Sequence, residues 1–172
     1  MQIAKCKTIL TYSEHLALNK AIFRVRTLPI IIIYDSIVFL LALFMFFGVK
    51  MYGFGVFLLF IIVFYTGTVM LMNKKNVKKI FNSSEAFKNS IEYLYEFLEE
   101  EMNVEAVSKV SKMNGSLRYS SIYKIIETKD YLFLFVNHIN AHIVIKEAID
   151  KKELNLLKKT LKSFVKKYKI IK

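Results

Sequence analysis

Two long apolar runs joined by a short turn limit what this chain can fold into. Residues 28–47 contain a single charged side chain, Asp35, and residues 54–72 contain none. An α-helix rises about 1.5 Å per residue, so each run reaches roughly 30 Å, the thickness of a bilayer's hydrocarbon core. The runs therefore predict two transmembrane helices. Because the turn between them is short, the helices should be antiparallel neighbours.

The apolar hairpin divides the chain of 172 residues into four parts. Residues 1–27 form an N-terminal arm, with a short alternating strand followed by an amphipathic helix. Residues 28–72 form the hairpin, and residues 73–89 continue as a basic juxtamembrane helix. Residues 90–172 remain, which is enough for one small domain with its own core.

The net charge of +12 is distributed unevenly along the chain. Residues 1–83 carry ten basic and two acidic side chains, and residues 151–172 carry nine basic side chains and one acidic. Residues 84–150 carry seven basic and eleven acidic side chains. A mildly acidic middle argues against a nucleic-acid surface there, and no nucleic-acid partner is expected.

Basic side chains flank the outer ends of both apolar runs, whereas the turn between the runs holds only Lys50. Lys and Arg close to a span are retained on the cytoplasmic side, so both termini should be cytoplasmic. The side chains expected at the membrane surface, in contact with lipid, are Arg24, Arg26, Lys74, Lys75, Lys78 and Lys79.

The periodicity changes from helical to twofold at residue 90. Alternating apolar residues and turn signals predict a meander of five to seven antiparallel strands, with a tight turn at Asn114-Gly115. An apolar stripe from Leu154 to Tyr168 predicts a C-terminal amphipathic helix, and Asp150 is suited to cap it. The fold class is α+β: a two-helix transmembrane hairpin plus a cytoplasmic antiparallel β-sheet domain, closed by that helix.

Asp35 is the most informative single residue, because a carboxyl group inside a span is costly and usually faces protein or water. Antiparallel register brings it towards polar side chains of the second run. The predicted intramembrane polar clip consists of Asp35, Ser36, Tyr65, Thr66 and Thr68. An interhelical hydrogen bond that fixes packing is favoured over a proton or ion relay, since two helices alone cannot enclose a pathway.

The sequence lacks the motifs that would indicate an enzyme. His138 and His142 lie across a turn and a strand, which is not zinc-ligand spacing. Neither G-x-S-x-G nor G-x-x-x-x-G-K-[ST] occurs. The single cysteine, Cys6, suits a reducing compartment and is interpreted as a small strand residue. No catalytic residue, metal, cofactor or small-molecule substrate is predicted.

Residues 119–135 (YSSIYKIIETKDYLFLF) and 141–149 (AHIVIKEAI) resemble the central signature of the YcxB-like family. The order of segments also resembles that family over nearly the whole chain. Two departures are Ile145, where many members have proline, and Ala148-Ile149 in place of Ala-Phe. The resemblance implies that residues 90–172 form a pleckstrin-homology-like (PH-like) domain, a bent antiparallel sheet closed by a helix. It brings no catalytic residues.

These observations favour a bacterial-type inner-membrane protein that acts as a non-catalytic, membrane-anchored interaction or regulatory module. Its expected partners are membrane lipid and either a second copy of itself or another membrane protein. Two alternatives stay open. The basic segments could read anionic lipid at the membrane surface, or Asp35 could serve a transport complex built from several hairpins.

Overall fold

The computed structural model describes residues 2–83, 91–108, 112–138 and 140–171. The chain forms two compact units, one of Met1–Ala21 together with Ser84–Lys172 and one of Ile22–Ser83. The fold is α+β, with two long apolar helices and a domain of two four-stranded sheets. The division differs from the predicted one, because the strand and first helix of residues 1–27 pack with the β-domain instead of forming a separate arm.

The first sheet joins the N-terminus of the chain to its middle. Its strands are β1 (Ala4–Ile9), β2 (Glu92–Phe97), β3 (Glu101–Val107) and β4 (Lys112–Arg118), hydrogen-bonded in that order and all antiparallel. Alternate residues of β1 are buried, which is the pattern of a strand with one face on a core. Strand β1 thus completes a sheet whose other strands lie more than 80 residues later in the chain.

The second sheet contains the last strand of the chain. Its strands are β5 (Lys124–Glu127), β6 (Tyr131–Phe135), β7 (Ala141–Ile145) and β8 (Tyr168–Ile170), in the order β7-β6-β5-β8. Pairing is antiparallel except between β5 and β8, which are parallel. Two 3₁₀ turns, Tyr119–Ser121 and Lys146–Ala148, flank this sheet. The predicted single antiparallel meander is therefore replaced by two sheets with one parallel pair.

The helices are α1 (Tyr12–Ile22), α2 (Leu28–Phe47), α3 (Tyr52–Ser83) and α4 (Lys151–Phe164). The Asp150 side chain caps α4 as predicted, accepting a 2.8 Å hydrogen bond from the backbone N–H of Lys152. Leu157 and Leu161 of α4 are fully buried in a core shared with both sheets.

Two local predictions are wrong. Asn114-Gly115 is not a turn but the middle of β4, where Gly115 pairs with Val104 and has no positive φ. Pairing with β3 over the whole strand outweighs the local turn preference of Asn-Gly. Tyr168 is not on the C-terminal helix, because the chain becomes extended at Val165 and Tyr168 opens β8.

The hairpin unit is built from α2 and α3. A π-helical turn, Phe23–Thr27, precedes α2, and Pro29 lies in the first turn of α2, where its missing N–H costs little. Gly55 lies against Phe46 so closely that an added Cβ would be 2.7 Å from the ring. Helix α3 continues into the basic segment as far as Ser83, and the rest of the predicted juxtamembrane helix lies outside the described residues.

Candidate functional site

Two of the five residues predicted for the polar clip, Asp35 and Thr66, are hydrogen-bonded between α2 and α3. The Thr66 hydroxyl donates a 2.8 Å hydrogen bond to Oδ2 of Asp35. The residues that precede this pair also meet between the two helices, because the ring centroids of Tyr34 and Tyr65 are 5.0 Å apart. The Oδ1 atom of Asp35 is buried and has no hydrogen-bond partner among the described residues. This carboxyl group therefore lies against protein, between α2 and α3.

The predicted clip residues Ser36 and Thr68 make different contacts. The Ser36 hydroxyl donates to the backbone oxygen of Ile32 at 2.7 Å, within its own helix. Thr68 lines a shallow apolar groove on α3 together with Tyr65 and neighbouring phenylalanines. Of the predicted clip residues, Asp35 and Thr66 form the hydrogen bond between the helices, and Tyr65 makes a ring contact with Tyr34. A Ser in a helix readily satisfies itself on the preceding turn, which explains why Ser36 does not reach across.

The six basic residues expected at the membrane surface are all exposed. Arg24 and Arg26 lie in the π-helical turn before α2, and the four lysines lie in the last third of α3: Lys74, Lys75, Lys78 and Lys79. Both groups therefore lie at the same, outer ends of the two antiparallel helices, with the turn at the opposite end.

A buried ionic cluster centred on Glu127 was not predicted from the sequence. Glu127 is 6% exposed, and its Oε1 lies 2.9 Å from Nζ of Lys146 and 2.5 Å from Nζ of Lys158. The Tyr168 hydroxyl donates to Oε2 at 2.7 Å. These four side chains, the Glu127 cluster, join β5, the second 3₁₀ turn, α4 and β8.

The contacts determine the charge state of the cluster. Burial alone would raise the pKa of Glu127, but hydrogen bonds from two ammonium groups and a phenol outweigh that effect and lower the pKa to about 2. Burial and the neighbouring carboxylate raise the pKa of Tyr168, so its hydroxyl stays a donor. The cluster stabilises the fold by joining these four elements. Sequence could not show it, because its members are up to 41 residues apart.

A second cluster, of aromatic rings and cations, lies at the opposite end of β5. Nζ of Lys167 is 4.7 Å from the ring centroid of Tyr123, and Nζ of Lys124 is 4.4 Å from that of Phe135. The His138 ring lies 4.5 Å from the Tyr123 ring. These five side chains form the Tyr123 cluster. The position of His138 in the sequence does not indicate this arrangement, because only the folded β-sheet brings its ring to Tyr123.

Two side chains that could act as a nucleophile or a base, Cys6 and His142, are buried and half-buried respectively. Burial raises the pKa of Cys6 to about 12, which leaves the thiol protonated and unreactive near neutral pH. Burial lowers the pKa of His142, whose ring lies edge-on to Tyr95 with centroids 5.8 Å apart. In the part of the chain that the structure describes, no group of three or more His, Cys, Asp or Glu side chains could hold a metal ion.

Comparison with known proteins identifies one segment of the chain. Residues 97–161 match the model of a family described as YcxB-like protein. The match begins at the last residue of β2 and ends within α4, so it includes two of the four strands of the first sheet, three of the four strands of the second, and most of the closing helix. No curated protein and no solved structure matches the chain.

Proposed function

Because the chain carries a YcxB-like domain at residues 97–161, we propose that it is a non-catalytic, membrane-anchored interaction module. In this proposal α2 and α3 span a bacterial inner membrane, and both termini and the β-domain are cytoplasmic. The β-domain, with its two sheets and closing helix, acts as a PH-like module that binds a protein partner.

The proposed membrane anchoring is supported by the apolar outer surface of the hairpin. Both helices are long and apolar enough to cross a membrane by length and composition. Large apolar side chains point away from the helix pair on both helices; Phe47 is 81% exposed and Val63 is 73% exposed. In water such a surface costs about 25 cal/mol per Å² of apolar area, whereas lipid tails would cover it. The polar pair Asp35–Thr66 lies inside, which suits the same environment.

Strand β4 supports a role in binding a partner. Within the described residues it pairs with β3 alone, and six of its seven residues are exposed. Such an edge presents unpaired backbone donors and acceptors, which a partner strand can use. Next to it, a shallow groove of mixed polar and apolar lining runs over the first sheet, with Lys5, Glu96 and Val104 among its residues. The edge and groove together form the candidate contact surface.

Membrane integration is tested by extracting bacterial membranes that contain the full chain with alkaline carbonate. The proposal predicts that the protein stays in the pellet and is released only by detergent, as an integral hairpin should be. Release into the supernatant by carbonate would contradict it.

The contact surface is tested by placing a photo-cross-linking amino acid at Met113, which is 69% exposed on β4. The control position is Lys129, exposed in the bend between β5 and β6. A defined cross-linked product in native membranes from Met113 but not from Lys129 is expected. Equal products from both positions, or none from Met113, would contradict a role for this edge.

Asp35 is assigned a packing role, because its carboxylate accepts directly from Thr66. A double-mutant cycle with Asp35→Leu and Thr66→Val, followed by unfolding of the full chain in SDS, should give a coupling of roughly 0.6–2 kcal/mol. Asp35→Asn keeps an acceptor and should unfold like the natural protein. If Asp35→Asn abolished a cellular phenotype while hairpin stability stayed unchanged, the transport alternative would be favoured instead.

A further inference from the structure

Strand β4 directs alternate backbone groups away from the first sheet. The N–H of Tyr119 donates to the oxygen of Glu100 at 2.9 Å, and the N–H of Leu98 donates to the oxygen of Glu101 at 2.8 Å. Hydrogen-bonded and non-hydrogen-bonded pairs alternate along an antiparallel ladder, so these two bonds fix which backbone groups of β4 point outward. Among the described residues they are those of Lys112, Asn114, Ser116 and Arg118.

The side chains of β4 alternate between the two faces of the sheet. Leu117 packs on the buried core, so Met113 and Gly115 lie on that same face, nearer the other end of the strand. Met113 is 69% exposed. Nothing described lies within 4 Å of a Cβ added at Gly115. A large apolar side chain and an open space are thus neighbours on this edge.

The middle of β4 also lacks the features that usually protect a sheet edge. Proteins protect exposed edges with charge, proline or a bulge. In β4 the charged side chains stand only at the ends, Lys112 and Arg118, and the strand contains no proline. Its pairing with β3 is continuous, without a bulge. Another strand can therefore add to this edge through backbone hydrogen bonds.

A second copy of the chain can pair with this edge across a two-fold axis, which makes the two strands antiparallel. With the axis at Gly115, the whole of β4 pairs with itself. Lys112 then lies opposite Arg118 on both sides of the axis. Like charges directly opposite each other are destabilising, so this register is disfavoured.

Two shifted registers avoid the repulsion but fit the edge less well. With the axis at Ser116, residues 114–118 pair and Met113 stays exposed. With the axis at Met113, only residues 112–114 of the strand pair, which leaves fewer backbone hydrogen bonds.

An axis at Asn114 avoids the repulsion and covers the apolar side chain. The outward backbone groups of Lys112 and Ser116 then face each other across the axis, with an ammonium group opposite a neutral hydroxyl. Met113 of each copy lies opposite Gly115 of the other, in a non-hydrogen-bonded pair, where side chains approach most closely. The open space at Gly115 thus receives the exposed methionine.

We infer that β4 pairs with β4 of a second copy, antiparallel and centred on Asn114, so that two four-stranded sheets become one continuous sheet. The inference rests on the proposed function in one respect, since it names the partner of the contact surface proposed there. Anchoring both copies in one membrane raises their effective concentration and favours the pairing.

The register is tested by disulfide formation between two differently tagged full chains in native membranes, both carrying Cys6→Ser. One chain carries Met113→Cys and the other Gly115→Cys, and copper phenanthroline is the oxidant. Residues in a non-hydrogen-bonded pair lie about 4.5 Å apart at Cα, a distance that a disulfide can bridge. A product that carries both tags should form quickly from the mixed chains. Either chain alone should give much less, which controls for random collision.

The charge contact is tested at Ser116, which is exposed in the single chain. Added to both tagged chains, Ser116→Lys places a second ammonium group opposite Lys112 on each side of the axis. It should slow disulfide formation roughly fivefold. The matched variant Ser116→Glu places a carboxylate there and should form the disulfide at least as fast as the unmodified pair.

Self-pairing is overturned if the mixed chains cross-link no faster than either chain alone, or if Ser116→Lys and Ser116→Glu have equal effects. A fast product from Gly115→Cys alone would also overturn it, because that result requires the axis at Gly115. If the photo-cross-linker at Met113 captured a different protein and no disulfide formed between copies, self-pairing would fail while the contact role of the edge stood. Carbonate extraction tests anchoring separately from all of these results.

Discussion

Removing the charge of Glu127 should destabilise the β-domain more than any other single substitution of an acidic residue. The variant Glu127→Gln keeps the size of the side chain but leaves Lys146 and Lys158 around a neutral amide. The folded protein lowers the pKa of this carboxyl from 4.5 to about 2. At about 1.4 kcal/mol for each tenfold change in acid dissociation, this corresponds to about 3 kcal/mol. Breaking a buried pair by removing one partner typically costs a similar amount, about 3–5 kcal/mol.

The pH dependence of this contribution has a definite sign. Because the folded-state pKa of Glu127 lies below the unfolded value, the stabilisation is fully present above about pH 4.5. It is lost as the pH falls from 4.5 towards 2, where the carboxyl becomes protonated in the folded state as well. The difference in stability between the natural protein and Glu127→Gln should therefore shrink over that interval and stay constant from pH 6 to pH 8.

The assay is urea unfolding of the full chain in neutral detergent, followed by the near-ultraviolet signal of its tyrosines, at pH 7 and at pH 3. The control is Glu105→Gln, which breaks an exposed ion pair with Lys112 and should cost no more than about 1 kcal/mol. A cost below about 1 kcal/mol for Glu127→Gln, or a cost that is the same at both pH values, would refute the electrostatic account of the cluster.

Three further substitutions or treatments have defined outcomes. Gly55→Ala should destabilise the hairpin in SDS titration by roughly 1–3 kcal/mol, because its Cβ would meet the Phe46 ring. The control Gly67→Ala has nothing within 4 Å of its Cβ and should be neutral or slightly stabilising. Equal effects of the two substitutions would contradict this packing. Cys6, with its pKa raised to about 12, should react with iodoacetamide at pH 8 roughly 1000-fold more slowly in the folded protein than in urea. Rapid alkylation of the folded protein would show that Cys6 on strand β1 is not buried. Asp150→Ala should cost the β-domain about 1 kcal/mol in urea unfolding while Asp150→Asn costs little, and no difference between them would argue against the cap.

Features set by neighbouring residues could be predicted from the sequence. The two long helices follow from unbroken apolar runs, and the cap at Asp150 follows from its place before an amphipathic stripe. The contact between Asp35 and Thr66 also followed, because a short turn fixes the register of two antiparallel helices.

Features set by distant residues could not be predicted in the same way. The alternation in β1 indicates a strand, but nothing local shows that its partner is β2, with Cys6 opposite Tyr95. Likewise, Tyr168 continues the helical spacing of α4, and only its pairing with Ile125 on β5 makes it a strand residue. Long-range pairing decided each case, and it also assembled the Glu127 cluster.

The measurement that tests the central claim most directly is the side of the membrane on which each part of the chain lies. Only Cys6 must be removed, as Cys6→Ser, to give a background without cysteine. Single cysteines are then placed at the exposed Lys50, between α2 and α3, and at Lys129 in the β-domain. A membrane-impermeant maleimide should label Lys50→Cys in intact spheroplasts and Lys129→Cys only after permeabilisation. Labelling of Lys129→Cys in intact spheroplasts, or of both positions from the same side, would contradict a spanning hairpin with a cytoplasmic β-domain.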